Sequence, residues 1–339
     1  MFLRNQWYVA ATSKELGRAL LARKILGEPL VFYRTEAGAA VAMEDRCPHR
    51  KAPLSMGKLA GDAVQCPYHG MEFAPDGKCT RVPGQVPIPP RLKACTYPIA
   101  ERHGWAWVWM GEAAKADPAL IHDYHWNDEP GWKPVMGYIH IDAEYRLVVD
   151  NLMDLTHETF VHPTSIGQTA VAETPITTGT ENGKVKVTRL MPGIPAPPLF
   201  AKVRGLKTID RWQHIYFDLP AHIRIDAGGV PADTKDMKQA LRWMVLNAMT
   251  PETERSTHYF WTLTRCFELA DEALSQTLHD SIMRIFNEDK TLLEAQQRMI
   301  ETDRSARPLL ATNCDAGGVA ARRMIDQALA AEARPRAAE

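Results

Sequence analysis

Three stretches of the chain show a regular alternation of apolar and polar positions. At Trp105, Trp107 and Trp109 bulky residues alternate with smaller ones, which predicts a strand, and Gly111 then closes a domain near residue 115. Residues 222–228, HIRIDAG, predict a second strand, with His222, Arg224 and Asp226 on one face and Ile223 and Ile225 on the other. Residues 274–300 repeat at spacings of three and four, and Leu278, Ile282, Ile285, Phe286, Leu292 and Leu293 form one helical stripe. Asp289 falls on that stripe, where an apolar residue is expected. A buried carboxylate is costly without a partner, so Asp289 needs either a metal ion or an arginine. Glu288 and Lys290 fall off the stripe and read as solvated charges.

Residues 145–163, YRLVVDNLMDLTHETFVHP, read as a helix that Pro163 ends. Asp150, Asn151, Asp154, His157 and His162 interrupt its apolar residues. Asp154 and His157 lie three apart, on one surface. His157 and His162 lie five apart, about 140° around an ideal helix, so both reach one metal only if the last turn loosens. A satisfied core or surface histidine is the plainer reading of either alone. Together with the carboxylate of Asp289 they fit a two-histidine, one-carboxylate metal site.

A separate pattern lies upstream. CPHR from Cys47 and CPYHG from Cys66 give C-x-H, sixteen intervening residues, then C-x-x-H. Cys47, His49, Cys66 and His69 could hold zinc or a [2Fe–2S] cluster of Rieske type. Zinc sites usually pair like with like, whereas here each turn offers one thiolate and one imidazole, as a Rieske rhomb requires. Such a centre relays single electrons at a potential well above that of plant-type ferredoxins.

Composition narrows the class. The chain has 339 residues, 45% hydrophobic and 24% charged, as in a soluble globular protein of about two domains. Lys plus Arg number 40 against 41 Asp plus Glu, which offers no electrostatic footprint for nucleic acid. No apolar run is long enough to span a membrane, and MFLRNQWYVAA lacks the pattern of a signal peptide, so a cytoplasmic setting is expected. Six cysteines are too sparse for a disulfide scaffold; Cys79, Cys95, Cys266 and Cys314 have no ligand spacing and read as small buried apolar residues.

The paired Cys/His turns followed by DNLMDLTHETFVH resemble the Rieske non-haem iron oxygenases over nearly the whole chain. Within that family, NLMDLTHETFVH, SIGQ at 165–168, ADPALIH at 116–122 and DAGGV at 315–319 look most like the oxygenase component of vanillate O-demethylase, and are also similar to dicamba O-demethylase and toluenesulfonate methyl-monooxygenase. The resemblance implies an α+β chain: a Rieske [2Fe–2S] antiparallel β domain over 1–115, then a helix-grip catalytic domain over 116–335. It assigns Cys47, His49, Cys66 and His69 to the cluster, and His157, His162 and Asp289 to a mononuclear non-haem Fe(II). It implies a homotrimer in which Asp154 bridges His69 of one subunit and His157 of the next. Asn151 matches a position beside the iron. A separate flavin and [2Fe–2S] reductase, O2 and an aromatic carboxylate or sulfonate are the implied partners.

The implied reaction is O-demethylation of a methoxylated, vanillate-like benzoate to a phenol and formaldehyde. Methyl hydroxylation of an aryl sulfonate or carboxylate and cis-dihydroxylation of a phthalate-like dicarboxylate are the enzymatic alternatives. A Rieske electron carrier with an attached ligand-binding domain, or a zinc-stabilised module, would be a different class. By the resemblance Arg224 and Asn247 stand where dicamba O-demethylase meets its substrate, and Arg224 would clamp an anion bidentately. A surface Arg224 paired with Asp226 is the other reading. Residues 191–200 and 228–239 read as loops, either lids over a pocket or solvated connections. Arg46, Arg50, Lys51 and Lys58 form either a docking patch for an acidic reductase or a solvated rim, and the tail ALAAEARPRAAE reads as frayed.

Overall fold

The computed structural model describes residues 1–305 and 307–333. The chain divides into two compact units, one of residues 2–123 with 250–254, the other of residues 124–249 with Arg255 onward. Among the described residues no helix is long and apolar enough to cross a membrane.

The first unit is built of short strands: β1 (Gln6–Thr12), β2 (Leu21–Ile25), β3 (Glu28–Arg34), β4 (Ala40–Glu44), β5 (Lys58–Ala60), β6 (Ala63–Gln65), β7 (Glu72–Phe73), β8 (Cys79–Arg81), β9 (Thr96–Tyr97), β10 (Ile99–Arg102) and β11 (Trp105–Met110). They make three antiparallel sheets, ordered β1-β11-β10, β2-β3-β4-β9 and β5-β6-β7-β8. The tryptophan strand β11 lies at the centre of the first sheet, and all six of its residues are buried. Its alternation in size therefore marks a strand covered on both faces rather than an inside and an outside. The unit runs on to Asp123, and the Trp7 indole donates to the Asp117 carbonyl at 2.8 Å.

The second unit contains β12 (Lys133–Ile141), α1 (Tyr145–Met153), α2 (Glu158–Val161), α3 (Thr169–Glu173), β13 (Thr177–Glu181), β14 (Lys184–Pro195), α4 (Pro198–Arg204), β15 (Thr208–Asp218), β16 (His222–Pro231), β17 (Leu241–Thr253), β18 (Ser256–Arg265), α5 (Glu272–Thr302) and α6 (Ala316–Ala333). Its seven strands form one sheet in the order β12-β18-β17-β16-β15-β14-β13. The long helix α5 packs on it through aromatic contacts: the Phe286 ring lies 5.2 Å from Tyr259 and 5.6 Å from Trp261. This is the helix-grip arrangement, and with the β unit before it the chain is α+β as expected.

Asp271 caps α5 by accepting from the Leu274 amide at 2.8 Å. Before it, the buried Arg265 side chain donates to the carbonyls of Phe267, Glu268 and Asp271 and so fixes the loop that aims the helix. The buried face of α5 carries Leu274, Leu278, Ile285, Phe286, Asp289 and Leu293, whereas Leu292, expected on that face, is exposed.

Other expectations are corrected here. Residues 145–163 are not one helix: α1 stops at Met153 and a 3-10 turn, Leu155–His157, precedes α2. Residues 191–195 continue β14 and 198–200 begin α4, while 228–231 belong to β16. Cys95 and Cys266 are exposed and Cys79 and Cys314 half-buried, so none of the four is a core residue. In the tail, 328–333 are helical, and 334–339 lie outside the described residues.

Candidate functional site

In the first unit Cys47 and Cys66 open two turns with the same backbone plan. The Cys47 amide donates to the Ala52 carbonyl, and the Lys51 amide returns to the Cys47 carbonyl. The Cys66 amide likewise donates to Met71, and the Gly70 amide to Cys66. The fifth residue of each turn is left-handed, at φ 60° for Lys51 and 67° for Gly70, a conformation that glycine adopts freely and lysine does not. Asp45 braces the first turn by accepting from both the amide and the hydroxyl of Ser55 at 2.6 Å.

Both thiols are buried in the core formed by Val31, Met43, Leu54, Val64 and Phe73, and burial pushes the Cys47 thiol up. His49 and His69 are exposed, with ring centroids 4.8 Å apart. Two buried thiols and two adjacent exposed imidazoles are a donor set that would hold a [2Fe–2S] cluster of Rieske type, which would supply single-electron transfer.

In the second unit, sequence separation collapses around Asp289. Asp154 leaves α1 in an extended conformation, φ −127° and ψ 96°, and its Oδ1 accepts from the Thr156 amide at 2.9 Å, capping the 3-10 turn. That break removes the 140° problem. The Nε2 atoms of His157 and His162 lie 3.4 and 3.2 Å from Oδ1 of Asp289. The donor atoms of the three residues all lie within 4.8 Å of one another.

The protons on these rings are accounted for on their far sides. Nδ1 of His157 donates to the Asp154 carbonyl at 2.6 Å, and Nδ1 of His162 to Oε2 of Glu288 at 2.6 Å. Nε2 of His162 is buried without a hydrogen-bond partner. Two imidazole lone pairs therefore face one carboxylate oxygen, a repulsive set that a bound cation reconciles. Burial disfavours a charge on His162, but the neighbouring carboxylates of Asp289 and Glu288 prevail and raise its pKa. The residues fit a divalent metal. Glu288 is thus not merely a solvated charge, as its off-stripe position suggested, but the acceptor that orients the His162 ring. Asn151 donates from Nδ2 to the same oxygen, Oδ1 of Asp289, at 3.1 Å.

The scaffold beneath is polar and closed. Arg322 on α6 grips Asp150 on α1 through Nε and Nη2 at 2.6–2.9 Å. Two glycines let α6 lie close to its neighbours: a Cβ at Gly318 would stand 2.9 Å from Oδ1 of Asp150 on α1, and one at Gly317 2.5 Å from Val187 on β14. Under the 154–158 turn lies a buried network. Arg189 donates to Thr156 Oγ1 at 2.7 Å and Gln213 Oε1 at 3.1 Å, and Gln213 donates to both oxygens of Glu158 at 3.1 Å.

A cavity of about 450 Å³ opens beside the triad, lined by His157, His162 and Asp289 and by apolar residues from β16, β17 and α5, among them Ile225, Val245, Leu278 and Phe286. Its size and lining suit a small organic ligand. Pro198 and Leu199 contribute to its wall, so the first of the two suspected loop segments reaches the cavity; residues 228–239 do not line it.

The two expected substrate contacts do not line it either. On β16 the residues facing the cavity are Ile225 and Ala227, so Arg224 lies on the opposite face. There its guanidinium stacks on Tyr216 at 4.2 Å and Trp126 at 5.0 Å. Asp226 pairs with Arg242, at 2.7 Å, and not with Arg224. Asn247 is fully buried, donating to the carbonyls of Ile223 and Val245 and accepting from Tyr259 at 2.6 Å. It ties strands together and has no donor left for a ligand. The residue that reasoning from sequence missed is Arg211, which does line the cavity.

A relay for single electrons in one unit and a place to activate dioxygen in the other are the working parts of a two-centre oxygenase. The chain belongs to the Rieske non-haem iron oxygenases: residues 6–96 match the Rieske [2Fe-2S] domain and residues 141–331 the vanillate O-demethylase oxygenase C-terminal domain. It is an oxidoreductase component carrying a [2Fe–2S] cluster and a non-haem iron, of a kind that typically works with a separate reductase. The iron-sulfur subunit of the toluene-4-sulfonate monooxygenase system of Comamonas testosteroni is 40% identical, over 98% of each chain. The vanillate O-demethylase oxygenase subunit of a Pseudomonas species is 42% identical, over 98% of this chain and 96% of its own. The crystal structure of dicamba monooxygenase bound to 3,6-dichlorosalicylic acid superposes with a TM-score of 0.92 at 35% identity, covering 98% of this chain and 99% of that one.

Proposed function

We propose that this oxygenase component O-demethylates a methoxylated aromatic acid of the vanillate class, releasing a phenol and formaldehyde. The observation that carries the reading is the placing of the His157, His162 and Asp289 donors at an apolar cavity of about 450 Å³. The 42% identical vanillate O-demethylase relative supports the choice of reaction. In this reading Cys47, His49, Cys66 and His69 hold the Rieske cluster, and His157, His162 and Asp289 hold Fe(II). When bound, the two groups supply single-electron transfer and dioxygen activation.

The chain's own residues do the positioning. Asp154 O and Glu288 take the Nδ1 protons and so leave both Nε2 atoms free to ligate. Asn151 steadies Asp289. Leu278, Phe286, Ile225 and Val245 hold an aromatic ring and exclude water, so that a substituent methyl stands nearest the triad. With O2 as oxidant and two electrons from the reductase, one oxygen atom would convert the methyl C–H into C–OH while the other leaves, with two protons, as water; the resulting hemiacetal falls apart to phenol and formaldehyde.

In this reading Asp154, half-buried at the head of its turn, bridges imidazoles across the subunits of a homotrimer. Arg46, Arg50, Lys51 and Lys58, all exposed around the first cluster turn, offer a face to an acidic flavin and [2Fe–2S] reductase. A cytoplasmic setting agrees with six cysteines of which none is in a disulfide.

Methyl hydroxylation of an aryl sulfonate is the second reading, favoured by the 40% identity to the toluene-4-sulfonate monooxygenase subunit. Turnover in air with NADH and a surrogate reductase separates them. Formaldehyde released from vanillate or a methoxybenzoate supports demethylation. An alcohol formed from 4-toluenesulfonate, with no formaldehyde from any methoxybenzoate, overturns it.

A further inference from the structure

The cavity wall contains a buried cation that the metal site does not use. On β15 the buried positions alternate through Ile209, Arg211, Gln213, Ile215 and Phe217, so Arg211 occupies an apolar phase and projects from the inner face. It lines the cavity and is only 7% exposed. Its guanidinium is poorly spent. Nη1 donates to Oε1 of Gln168 at 2.7 Å, but Nη2 stands 3.6 Å from Oε2 of Glu158, beyond hydrogen-bond length. Nε is buried and has no partner at all. Glu158 in turn already accepts from Gln213 through both oxygens.

Two more cations, Lys202 and Arg284, line the same cavity from its exposed side, and neither has a hydrogen-bond or ion-pair partner among the described residues. The carboxylates on the wall are Glu158, held by Gln213, and Asp289, held by Asn151 and facing the two histidines. The wall is thus apolar with an excess of unspent cationic donors.

We propose that Arg211 is the specificity residue of the cavity and selects an aromatic anion, its free guanidinium donors taking an oxygen of a carboxylate or sulfonate. The ring then lies against Ile225, Val245 and Phe286, with the far substituent toward the triad. Lys202 and Arg284 draw the anion to the mouth. The inference rests on reading this cavity as the substrate site, and it deepens that reading by naming the group recognised. It also replaces Arg224, which the fold points the other way. Carboxylate and sulfonate present the same acceptor chemistry to an arginine, and the test separates them.

The experiment is equilibrium binding to the metal-loaded enzyme without turnover, using 4-methoxybenzoate, 4-toluenesulfonate and the neutral 4-methoxybenzamide. Wild type is expected to bind at least one anion about tenfold or more tighter than the amide. Arg211→Gln is expected to weaken that anion by about 10- to 100-fold while moving the amide less than about threefold, and Arg211→Lys to recover part of the loss. The anion that binds tighter identifies the group. Rieske absorption and iron content report whether each variant is folded.

A second measurement needs no variant: in crystals of the wild type with the tighter anion, its oxygen should lie within about 3 Å of the Arg211 guanidinium. An anion held by Lys202 or Arg284 instead, an amide bound as well as the anions, or equal weakening of both ligands in Arg211→Gln overturns the proposal. Anion selectivity without formaldehyde release would sink the demethylation reading and leave Arg211 standing.

Discussion

Glu288 accepts a hydrogen bond from Nδ1 of His162 at 2.6 Å, and the next residue on the same helix sets a carboxylate oxygen 3.2 Å from Nε2 of that ring. Adjacent residues of α5 thus hold both ends of one imidazole. An outer carboxylate of this kind fixes the tautomer and raises the basicity of the ligating nitrogen. Glu288→Gln keeps the shape and removes the charge. It should lower Fe(II) affinity of the mononuclear site by about 10- to 100-fold in chelator competition. The visible absorption of the Rieske cluster, in the other unit, should not change. Undiminished affinity would reduce Glu288 to a bystander.

The 154–158 turn is seated on the sheet by the bond from Arg189 to the Thr156 hydroxyl at 2.7 Å. Arg189 is almost fully buried, and desolvation lowers its pKa. Thr156→Val preserves the side-chain shape but leaves a buried guanidinium donor unmet, at a cost of about 1–3 kcal/mol. Thermal unfolding of the metal-loaded protein should show a lower midpoint. Removing the arginine instead, as Arg189→Met, should be worse, because Gln213 and the turn then both lose a partner. A Thr156→Val midpoint equal to wild type would show that the bond is incidental.

Asp289 could be found in the sequence because a lone carboxylate on a 3.6-residue apolar stripe has no cheap explanation. Arg189 and Arg211 carry the same signature in period two, each replacing an apolar residue in an alternating strand: Val185, Val187, Arg189, Met191 on β14, and Ile209, Arg211, Gln213, Ile215 on β15. The same test applied to strands would have found both. Arg224 was misplaced for a different reason. Alternation sorts residues onto two faces, but it does not say which face meets the helix, and here Tyr216 and Trp126 cover the Arg224 side. The break at Asp154 was invisible because no glycine or proline marks it; an aspartate capping a short turn is a local competition between backbone and side chain that periodicity does not register. Glu288 was misread because helical phase reports burial, and this carboxylate works from the edge of the buried face.

Arg224 and Arg211 therefore respond differently to loss of charge. Arg224→Gln removes stacking on two aromatic rings, and a cation–π contact of this partly buried kind contributes about 1–2 kcal/mol. The expected outcome is a modest loss of thermal stability with the ratio of aromatic-anion to neutral-amide affinity unchanged. A collapse of that ratio in Arg224→Gln would mean that ligands reach the outer face of β16.

His222 sets an acid limit on stability that is independent of the metals. It is buried beside Tyr124, whose hydroxyl donates to the Asn247 carbonyl at 2.8 Å and stands 3.1 Å from Nδ1 of the ring. Since that hydroxyl's proton is spent on Asn247, Nδ1 carries a hydrogen and donates to the oxygen. Burial drives the His222 pKa from 6.5 down to about 4, against the smaller pull of Asp218 upward. The unfolded chain therefore binds this proton first. The contribution of His222 is complete above pH 6.5 and is lost as pH falls toward 4, by an amount of roughly 3 kcal/mol for a shift of that size. His222→Gln removes the titration, whatever it does to stability at neutral pH. Urea unfolding followed from pH 7 to pH 4.5 should show the wild-type free energy falling faster than that of the variant as pH drops below about 6.5. Parallel curves over that interval would show that the ring takes up its proton in the folded protein as readily as in the unfolded chain.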